Sequence, residues 1–592
     1  MNILGLSFFY HDAAAALVRD GELVAAIEQE RFSRRKHDSE FPELAIEYCL
    51  KQAGITLEQV DHIVFYEKPF VKFDRILLCA LGTWPHSYKG FLKAIPIWMK
   101  DKIRIRRYIQ KKLETEKDIL FCGHHMSHAA SAFLVSPFEN AAIITADGVG
   151  EWDTTCIGYG EGNQVVLEKK IEFPHSVGLF YSALTAYLGF KINDAEWKVM
   201  GLAPYGKPKY VDQFMQLVDI KADGSFRLNM EYYAHHWSEN TMLKGWERLF
   251  GEPPRTPETE LTAYHYDIAH SGQAVVEKIM INMARAVHER YKFDALCIGG
   301  GVGLNSVANW KILKEGSGFK NIFIQPAAGD DGGALGAAFW VWNSVLGQPR
   351  KFTMRHAYWG PEYGDAEIQA VLDRVCAKYE KLSREQVIEW TAKALAEDKV
   401  IGWFQGRQEF GPRALGSRSI LANPGNPKMK DIINAKVKFR EWFRPFAPSV
   451  LKEKAHLYFD IPEGFDSPYM LLVPQVRPEW RSKLSAVTHE DGTGRVQTVQ
   501  QDIAPLYYDL IKHWGEVSGV PVVLNTSFNV RGEPIVTTPE NAYSTFVKTG
   551  IDVLVMGSYM LQHKDQAVDF EKGMRESVNL EWSHAPAAVP AD

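Results

Sequence analysis

The sequence predicts an α/β protein: a duplicated fold over residues 1–350, a second α/β domain over about 375–570, and a flexible tail at 571–592. Three observations lead there. Apolar runs with strand character alternate with helix-periodic segments across glycine turns, the pattern of helices packed on a largely parallel sheet. Two stretches, one at the N-terminus and one near residue 140, open alike with a buried strand, an Asp or Gly turn and a second strand. The 592 residues exceed what one hydrophobic core supports, and "GQPRKF" and "WGPEYGD" interrupt the pattern between about 347 and 382.

Each element has a local reason. "NILGLSFF" and "GELVAAIEQERF" flank the turn "VRDG" and predict a hairpin. "FPELAIEYCLKQAG" has helical spacing and stops on Gly54, since glycine adopts the left-handed conformation that ends a helix. "VDHIVFY" predicts a strand, and "NAAIITADGVGEWDTTCIGYGEG" repeats the opening hairpin. "FDALCIGGGVGLNSVANWKIL" and "NIFIQPAAGDDGGALGAAFW" each predict a strand, a glycine turn and a helix. Beyond the break, "VIEWTAKALAEDKVIGWFQG" begins a new helix–strand run. Residues 86–113 form a basic, aromatic block that predicts a helical pair with a solvated Lys/Arg face.

Composition removes several classes. A net charge of -6 gives no overall pull toward nucleic acid or an anionic membrane, so neither is an expected partner. No uninterrupted apolar run approaches the roughly 20 residues of a membrane helix. The start lacks a basic stretch before its apolar run and does not read as a signal peptide. Six scattered cysteines with no CxxC pair argue against a disulfide framework and for a cytoplasmic protein.

The first chemical signal is "GHHMSHAASAF". On a helix, His124 and His128 share a face at i and i+4 and can grip one metal ion. The glutamate of a metalloprotease HExxH motif is missing, so that activity is not expected. His125 points elsewhere, toward substrate or phosphate. Strand ends supply carboxylates: Asp147 in "IITADGVG", and Asp330 and Asp331 in "QPAAGDDGGALG". A mixed His/Asp set suits iron, manganese or zinc better than calcium or copper(I). His11, in a polar interruption after the first strand, is a candidate general base.

The second signal is anionic. In "GGGVGLNS", Gly300, Gly301 and Gly303 allow close backbone approach to a nucleotide, and Asn305 can hydrogen-bond a ribose or base. The spacing fits neither a Rossmann fingerprint nor a Walker A loop. Farther on, "NAKVKFREWFRPFAPS" supplies Lys438, Arg440 and Arg444. "VVLNTSFNVRGEPIV" supplies Asn525, Ser527, Asn529 and Arg531, and "FGPRALGSRSILANP" supplies Arg413, Ser417 and Arg418. Cations in otherwise apolar segments predict a phosphate or carboxylate site, because such charges are rarely buried unpaired.

Taken together, "HDAAAAL", "HHMSHAASAF", "TADGVGEW", "KVMGLAPYG", "GGGVGLNS", "GDDGGALGAA", "FGPRALGSRSILANP", "KFREWFRPFAPS" and "LNTSFNVRGEPIV" resemble the O-carbamoyltransferases of nodulation-factor and antibiotic biosynthesis. The resemblance implies an actin-like first domain, similar to that of the threonylcarbamoyladenosine enzyme, and a YrdC-like second domain. It implies iron(II) on His124, His128, Asp147 and Asp331, with Asp330 as the less favoured alternative. It implies a tetrad of Lys438, Arg440, Ser527 and Asn529 that makes carbamoyl-adenylate from carbamoyl phosphate and ATP with magnesium. The carbamoyl group would then pass to a hydroxyl of a small-molecule acceptor, with specificity in about 85–120 and in the aromatic stretch around Tyr232 and Trp237. A homodimer is the expected assembly. A tRNA-modifying relative, an actin-like kinase and a non-catalytic scaffold are the competing readings.

Overall fold

The computed structural model describes residues 1–98, 102–238 and 240–566. The tail expected at 571–592, and residues 99–101 of the basic block, lie outside the described residues. The chain forms two compact units: Met1–Gln29 with His37–Met354, and Glu30–Lys36 with the described residues from Arg355 to Gln566.

The first unit holds two five-stranded sheets of one design. Strands β1 (Asn2–Ser7), β2 (Ala14–Arg19), β3 (Glu22–Glu28), β4 (His62–Phe65) and β5 (Ile119–Phe121) assemble in the order β3-β2-β1-β4-β5. The opening hairpin is antiparallel, with Leu4 opposite Leu17, whereas β4 runs parallel to both β1 and β5. Strands β6 (Asn140–Ala146), β7 (Asp153–Glu161) and β8 (Gln164–Glu172) precede a small hairpin of β9 (Val218–Ile220) and β10 (Phe226–Leu228). With β11 (Ala295–Gly299) and β12 (Asn321–Ile324), the second large sheet runs β12-β11-β6-β7-β8. Read from β8, this is the first order repeated, which is the duplicated, actin-like topology.

Every chemically notable segment leaves the carboxyl end of a parallel strand, where α/β sheets bind ligands. β5 leads into the helix His124–Phe133, β6 into Asp147, and β12 into the helix Asp330–Trp340. The small residues of that last helix have a packing reason. A Cβ on Gly336 would lie 1.9 Å from the Ser127 carbonyl oxygen, and one on Gly5 the same distance from that of Ala334. The helix therefore sits directly on β1 and on the histidine helix, and a larger side chain at either glycine would push the site apart.

The second unit is built on one sheet. β13 (Glu380–Lys381), β14 (Ile401–Phe404), β15 (Arg418–Ala422), β16 (Ala447–Leu451), β17 (Gln497–Val499), β18 (Val522–Ser527), β19 (Val553–Met556) and β20 (Tyr559–Gln562) run in the order β13-β20-β19-β14-β15-β18-β16-β17. Trp403, Leu421, Val523 and Val555 are buried against Leu510 and Trp514 of the helix Pro505–Ser518. The stretch at 347–382 is more than a connection. It carries the helix Asp365–Arg374, where the Gly364 N–H donates to Glu367 at 2.9 Å, and the edge strand β13. Its Gly and Pro residues flank the helix rather than fill it. Among the described residues, no helix is long and apolar enough to cross a membrane.

Candidate functional site

The histidine helix begins at Gly123, whose extended backbone turns the chain out of β5. One helical turn brings the Nε2 atoms of His124 and His128 to 3.1 Å of each other. Asp147 Oδ2 lies 3.0 Å from the first and 3.5 Å from the second, and Asp330 Oδ1 lies 3.7 and 3.5 Å away. All four ligand atoms fall within 4.8 Å of one another. Both imidazoles and Asp330 are buried, and Asp330 Oδ1 has no hydrogen-bond partner. Two nitrogens and two carboxylate oxygens converging on one point, with a buried oxygen left over, fit a divalent metal of the iron, manganese or zinc kind. Burial opposes charge on His128, yet the Asp147 and Asp330 carboxylates beside it outweigh it and raise the ring to about 10. Asp147 is held well below the usual carboxylate range despite burial, chiefly by bonds to the two histidines.

This geometry corrects the preferred carboxylate. Asp331 takes no part in the cluster: its Oδ1 accepts the Gly332 N–H at 3.0 Å. Burial, with Glu28 and Asp12 nearby, holds its carboxyl well above the ordinary range. Consecutive helical residues point about 100° apart, so only one of the pair can face the histidines. His125 is also corrected. Its Nδ1 meets Thr145 Oγ1 at 2.7 Å and its Nε2 the Asp153 carbonyl at 2.8 Å, and burial lowers it to about 3. It is a neutral core histidine with both ring nitrogens committed to the fold.

A supporting shell surrounds the four. The Tyr66 hydroxyl donates to Asp330 Oδ2 at 3.1 Å, and Glu151 accepts the His124 backbone N–H at 2.9 Å. The Gly301 N–H donates to Asp147 Oδ1 at 3.1 Å. Gly300, at φ +87°, would place a Cβ 2.3 Å from the Ala146 carbonyl oxygen, so only glycine brings this turn so close to Asp147. Gly303 packs beneath it on Ile298. Asn305 accepts the Ala308 N–H at 3.1 Å as a helix cap and exchanges two hydrogen bonds of 3.1 Å with Gln273. The expectation of a ribose contact there is corrected: the Asn305 side chain is committed to the fold.

His11 donates from Nδ1 to Asp12 Oδ2 at 2.8 Å. Asp12 Oδ1 in turn meets His37 Nδ1 at 2.7 Å, and His37 Nε2 meets Asp194 at 2.9 Å. Burial works against charge on His11, but Asp12 outweighs it and lifts the ring to about 9. A ring so raised favours its protonated form, which speaks for a donor at His11 over the general base expected from the sequence. Nε2 remains as a donor.

Two cations went unnoticed in the sequence. Lys72 Nζ pairs with Glu67 Oε2 at 3.2 Å, both buried, and that same oxygen lies 3.9 Å from His124 Nδ1. Lys72 also stands 4.9 Å over the Tyr10 ring, and the buried Arg75 stands 5.0 Å over Phe173. Lys72 and Arg75, at i and i+3 on the helix Pro69–Gly82, are its only Lys and Arg. That spacing, on a helix apolar elsewhere but for Asp74, was the available signal.

The second unit gathers charge of one sign. Lys438 Nζ donates to Asn529 Oδ1 at 2.8 Å, to Ser527 Oγ at 3.2 Å, and to the Ser527 and Asn529 carbonyls. Arg440 Nε donates to Asn434 Oδ1 at 2.8 Å while Nη2 is buried without a partner. Arg444 is 3.4 Å from Glu441, and the Arg531 backbone N–H donates to Lys438 O at 3.2 Å. Burial, then the charges of Arg440 and Arg444, push Lys438 well below its ordinary value. Arg495, which the sequence reading missed, joins this group: burial, then Arg413 and Arg444, pull it well down. Burial alone pulls Arg413 to about 10. Arg495 follows the turn "DGTG" as an isolated arginine, with no pattern to mark it.

Arg418 and Asn525 are corrected as anion ligands. The Arg418 guanidinium donates to the carbonyls of Gln405, Gly406, Ser417 and Pro361 at 2.9–3.1 Å and lies 3.7 Å over Phe404. Asn525 donates to Ser449, Gln497 and the Ala414 carbonyl inside the sheet. Ser417 gives its backbone N–H to Glu409 at 2.8 Å.

The family model described as Carbamoyltransferase N-terminus matches residues 2–339, and Carbamoyltransferase C-terminus matches residues 392–563. This chain belongs to the carbamoyltransferase family. The enzyme is 47% identical to an uncharacterized protein of Synechocystis sp., over 95% of this chain and 96% of that one. It is 39% identical to the nodulation protein NolNO of Sinorhizobium fredii, over 98% and 82% of the two chains. NolO of Bradyrhizobium diazoefficiens is 37% identical over 79% and 82%. Among solved structures, HypF of T. kodakarensis aligns at a TM-score of 0.29 and 16% identity, over 58% of this carbamoyltransferase and 48% of HypF. A likeness that loose carries no argument, and the duplication stands on the strand order itself.

Proposed function

We propose that this carbamoyltransferase activates its carbamoyl group in the second unit and transfers it in the first. The observation that carries this reading is the crowd of cations around Lys438. Arg413, Arg440, Arg444 and Arg495 repel one another in a largely dehydrated pocket, so a polyanion would relieve them. Carbamoyl phosphate and the ATP phosphates with magnesium are such anions. Water releases phosphate from carbamoyl phosphate to leave carbamate. A carbamate oxygen then attacks the ATP α-phosphorus, the bond to pyrophosphate breaks, and carbamoyl-adenylate forms. Lys438 and Arg440 neutralise the charge that builds on the phosphorus oxygens, and Ser527 and Asn529 fix the ammonium in place.

In the first unit an acceptor hydroxyl forms a bond to the carbamoyl carbon and gives its proton to water, the bond to AMP oxygen breaks, and the product is an O-carbamoyl ester. His124, His128, Asp147 and Asp330 would hold the divalent metal, iron(II) by resemblance, which supplies Lewis acidity toward a carbonyl or hydroxyl oxygen. His11, oriented through Asp12, donates a hydrogen bond from Nε2 to oxygen on which negative charge develops. The Lys72–Glu67 pair borders the same centre and suits a polar, hydroxyl-bearing acceptor such as a sugar or other small natural product. A cytoplasmic setting agrees with ATP and carbamoyl phosphate as substrates.

The test is product analysis with carbamoyl phosphate, ATP, magnesium and iron(II), without acceptor. Pyrophosphate and AMP should appear only when carbamoyl phosphate is present. Lys438→Ala should abolish both, while His128→Ala should leave them. ADP as the product, or release independent of carbamoyl phosphate, would overturn the reading in favour of a kinase.

A further inference from the structure

The helix Pro69–Gly82 is inside out. It buries Lys72 and Arg75 and turns Phe70, Leu78 and Leu81 to solvent, with Asp74 exposed between Phe70 and Leu78. The exposed face continues through Trp84 into the helix Tyr88–Ile97, where Tyr88 and Leu92 also point outward. These six side chains are 48% to 68% exposed, and Trp84 and Tyr88 meet edge to face at 5.3 Å. Other large apolar side chains exposed to this degree, Val345, Trp442, Leu457 and Val517, are scattered singly along the described chain. One contiguous face of this kind marks a contact site.

Charge says what it contacts. Lys89 and Lys93 stand exposed on the same helix as Tyr88 and Leu92. Residues 86–113 hold nine Lys and Arg against one Asp, in a chain whose net charge is -6. Aromatic and leucine side chains flanked by lysine are what an interfacial membrane element presents. A second copy of the chain meeting this face about a two-fold axis would set basic rim against basic rim. We infer that the helices Pro69–Gly82 and Tyr88–Ile97 form a monotopic docking surface for an anionic phospholipid membrane. Phe70, Leu78, Leu81, Trp84 and Leu92 enter the acyl boundary, and Lys89 and Lys93 meet the headgroups. This is compatible with the lack of a spanning helix among the described residues, since the element lies on the bilayer.

The experiment is co-sedimentation of the full-length protein with vesicles. It should pellet with equimolar phosphatidylglycerol and phosphatidylcholine, lose binding as salt is raised, and bind phosphatidylcholine alone at least about tenfold more weakly. Phe70→Ser with Leu81→Ser should weaken binding by at least about tenfold. So should Lys89→Glu with Lys93→Glu, with unchanged circular dichroism and metal content. The inference is overturned by the absence of sedimentation with the anionic vesicles, or by equal binding of either double variant. It is equally overturned if the apolar variant instead dissociates a dimer in sedimentation equilibrium while wild type ignores vesicles. None of these outcomes bears on carbamoyl-adenylate formation, which is read separately through pyrophosphate.

Discussion

The metal centre and the cation pocket solve opposite electrostatic problems. In the first unit two imidazoles face two carboxylates, and burial of either sign is offset by the other. In the second unit Lys438, Arg440, Arg444, Arg413 and Arg495 share a sign, and burial only worsens their repulsion. The first site is closed among its own members, so a metal enters by displacing protons. The second is incomplete until an anion arrives, and its cations are held apart by carbonyls and amides such as those of Ser527, Asn529 and Asn434. Balanced charges make a site that stabilises the fold. Unbalanced charges make one that spends stability on binding.

The sharpest way to break this comparison is within one pair of neighbours. Asp330→Asn should reduce metal affinity by about 100-fold or more, while Asp331→Asn should keep metal near wild type. Metal content after dialysis decides it, and loss on Asp331→Asn alone would reverse the assignment. A second contrast tests the arginines. Arg418→Ala takes a donor from four carbonyls, of which those of Ser417 and Pro361 keep a backbone N–H partner, and should cost about 3–5 kcal/mol in denaturant unfolding. Arg413→Ala removes like-charge repulsion and should leave stability unchanged or higher, while raising the KM for carbamoyl phosphate or ATP.

A pH experiment probes the balanced side. His11 is raised from 6.5 to about 9 by Asp12 against burial. A raised histidine stabilises the fold fully below its unfolded value and loses that contribution as pH rises through the folded one. Asp12→Asn should therefore lower Tm clearly near pH 6, and much less above about pH 9.5. An equal loss at both pH values would mean that Asp12 acts only through packing. The smallest expected effect is at the glycine turn. Asn305→Ala should cost about 1 kcal/mol as a lost helix cap and leave the KM for ATP unchanged. A raised KM would restore Asn305 as a nucleotide contact.

Much of this was legible along the chain because it depends on neighbours in sequence. The i, i+4 pair His124 and His128 needs only a helix to share a face. The turns before Asp147 and Asp330 needed only glycine beside a strand end, and the repeated hairpin–turn pattern carried the duplication. Lys438, Ser527 and Asn529 were readable as polar groups in apolar segments, and hydrogen bonds join them in the fold. What failed to read were choices among chemically equal residues. "DD" contains two identical side chains, and the rotation of the helix Asp330–Trp340 against β1 and the histidine helix selects the first. "GPRALGSRS" contains two arginines, and the chain fold makes Arg418 a girder while Arg413 joins Arg495 near the tetrad.

Composition and spacing thus specify the donors this carbamoyltransferase has: which types, on which elements, at which strand ends. Packing between distant segments specifies their aim. Asp330 meets His124 across some two hundred residues, Lys72 turns inward because its helix is seated apolar side out, and Asp12 keeps the proton on His11. Local sequence sets backbone conformation at short range. The direction of a side chain, and the charge it keeps, follow from what the folded chain brings beside it.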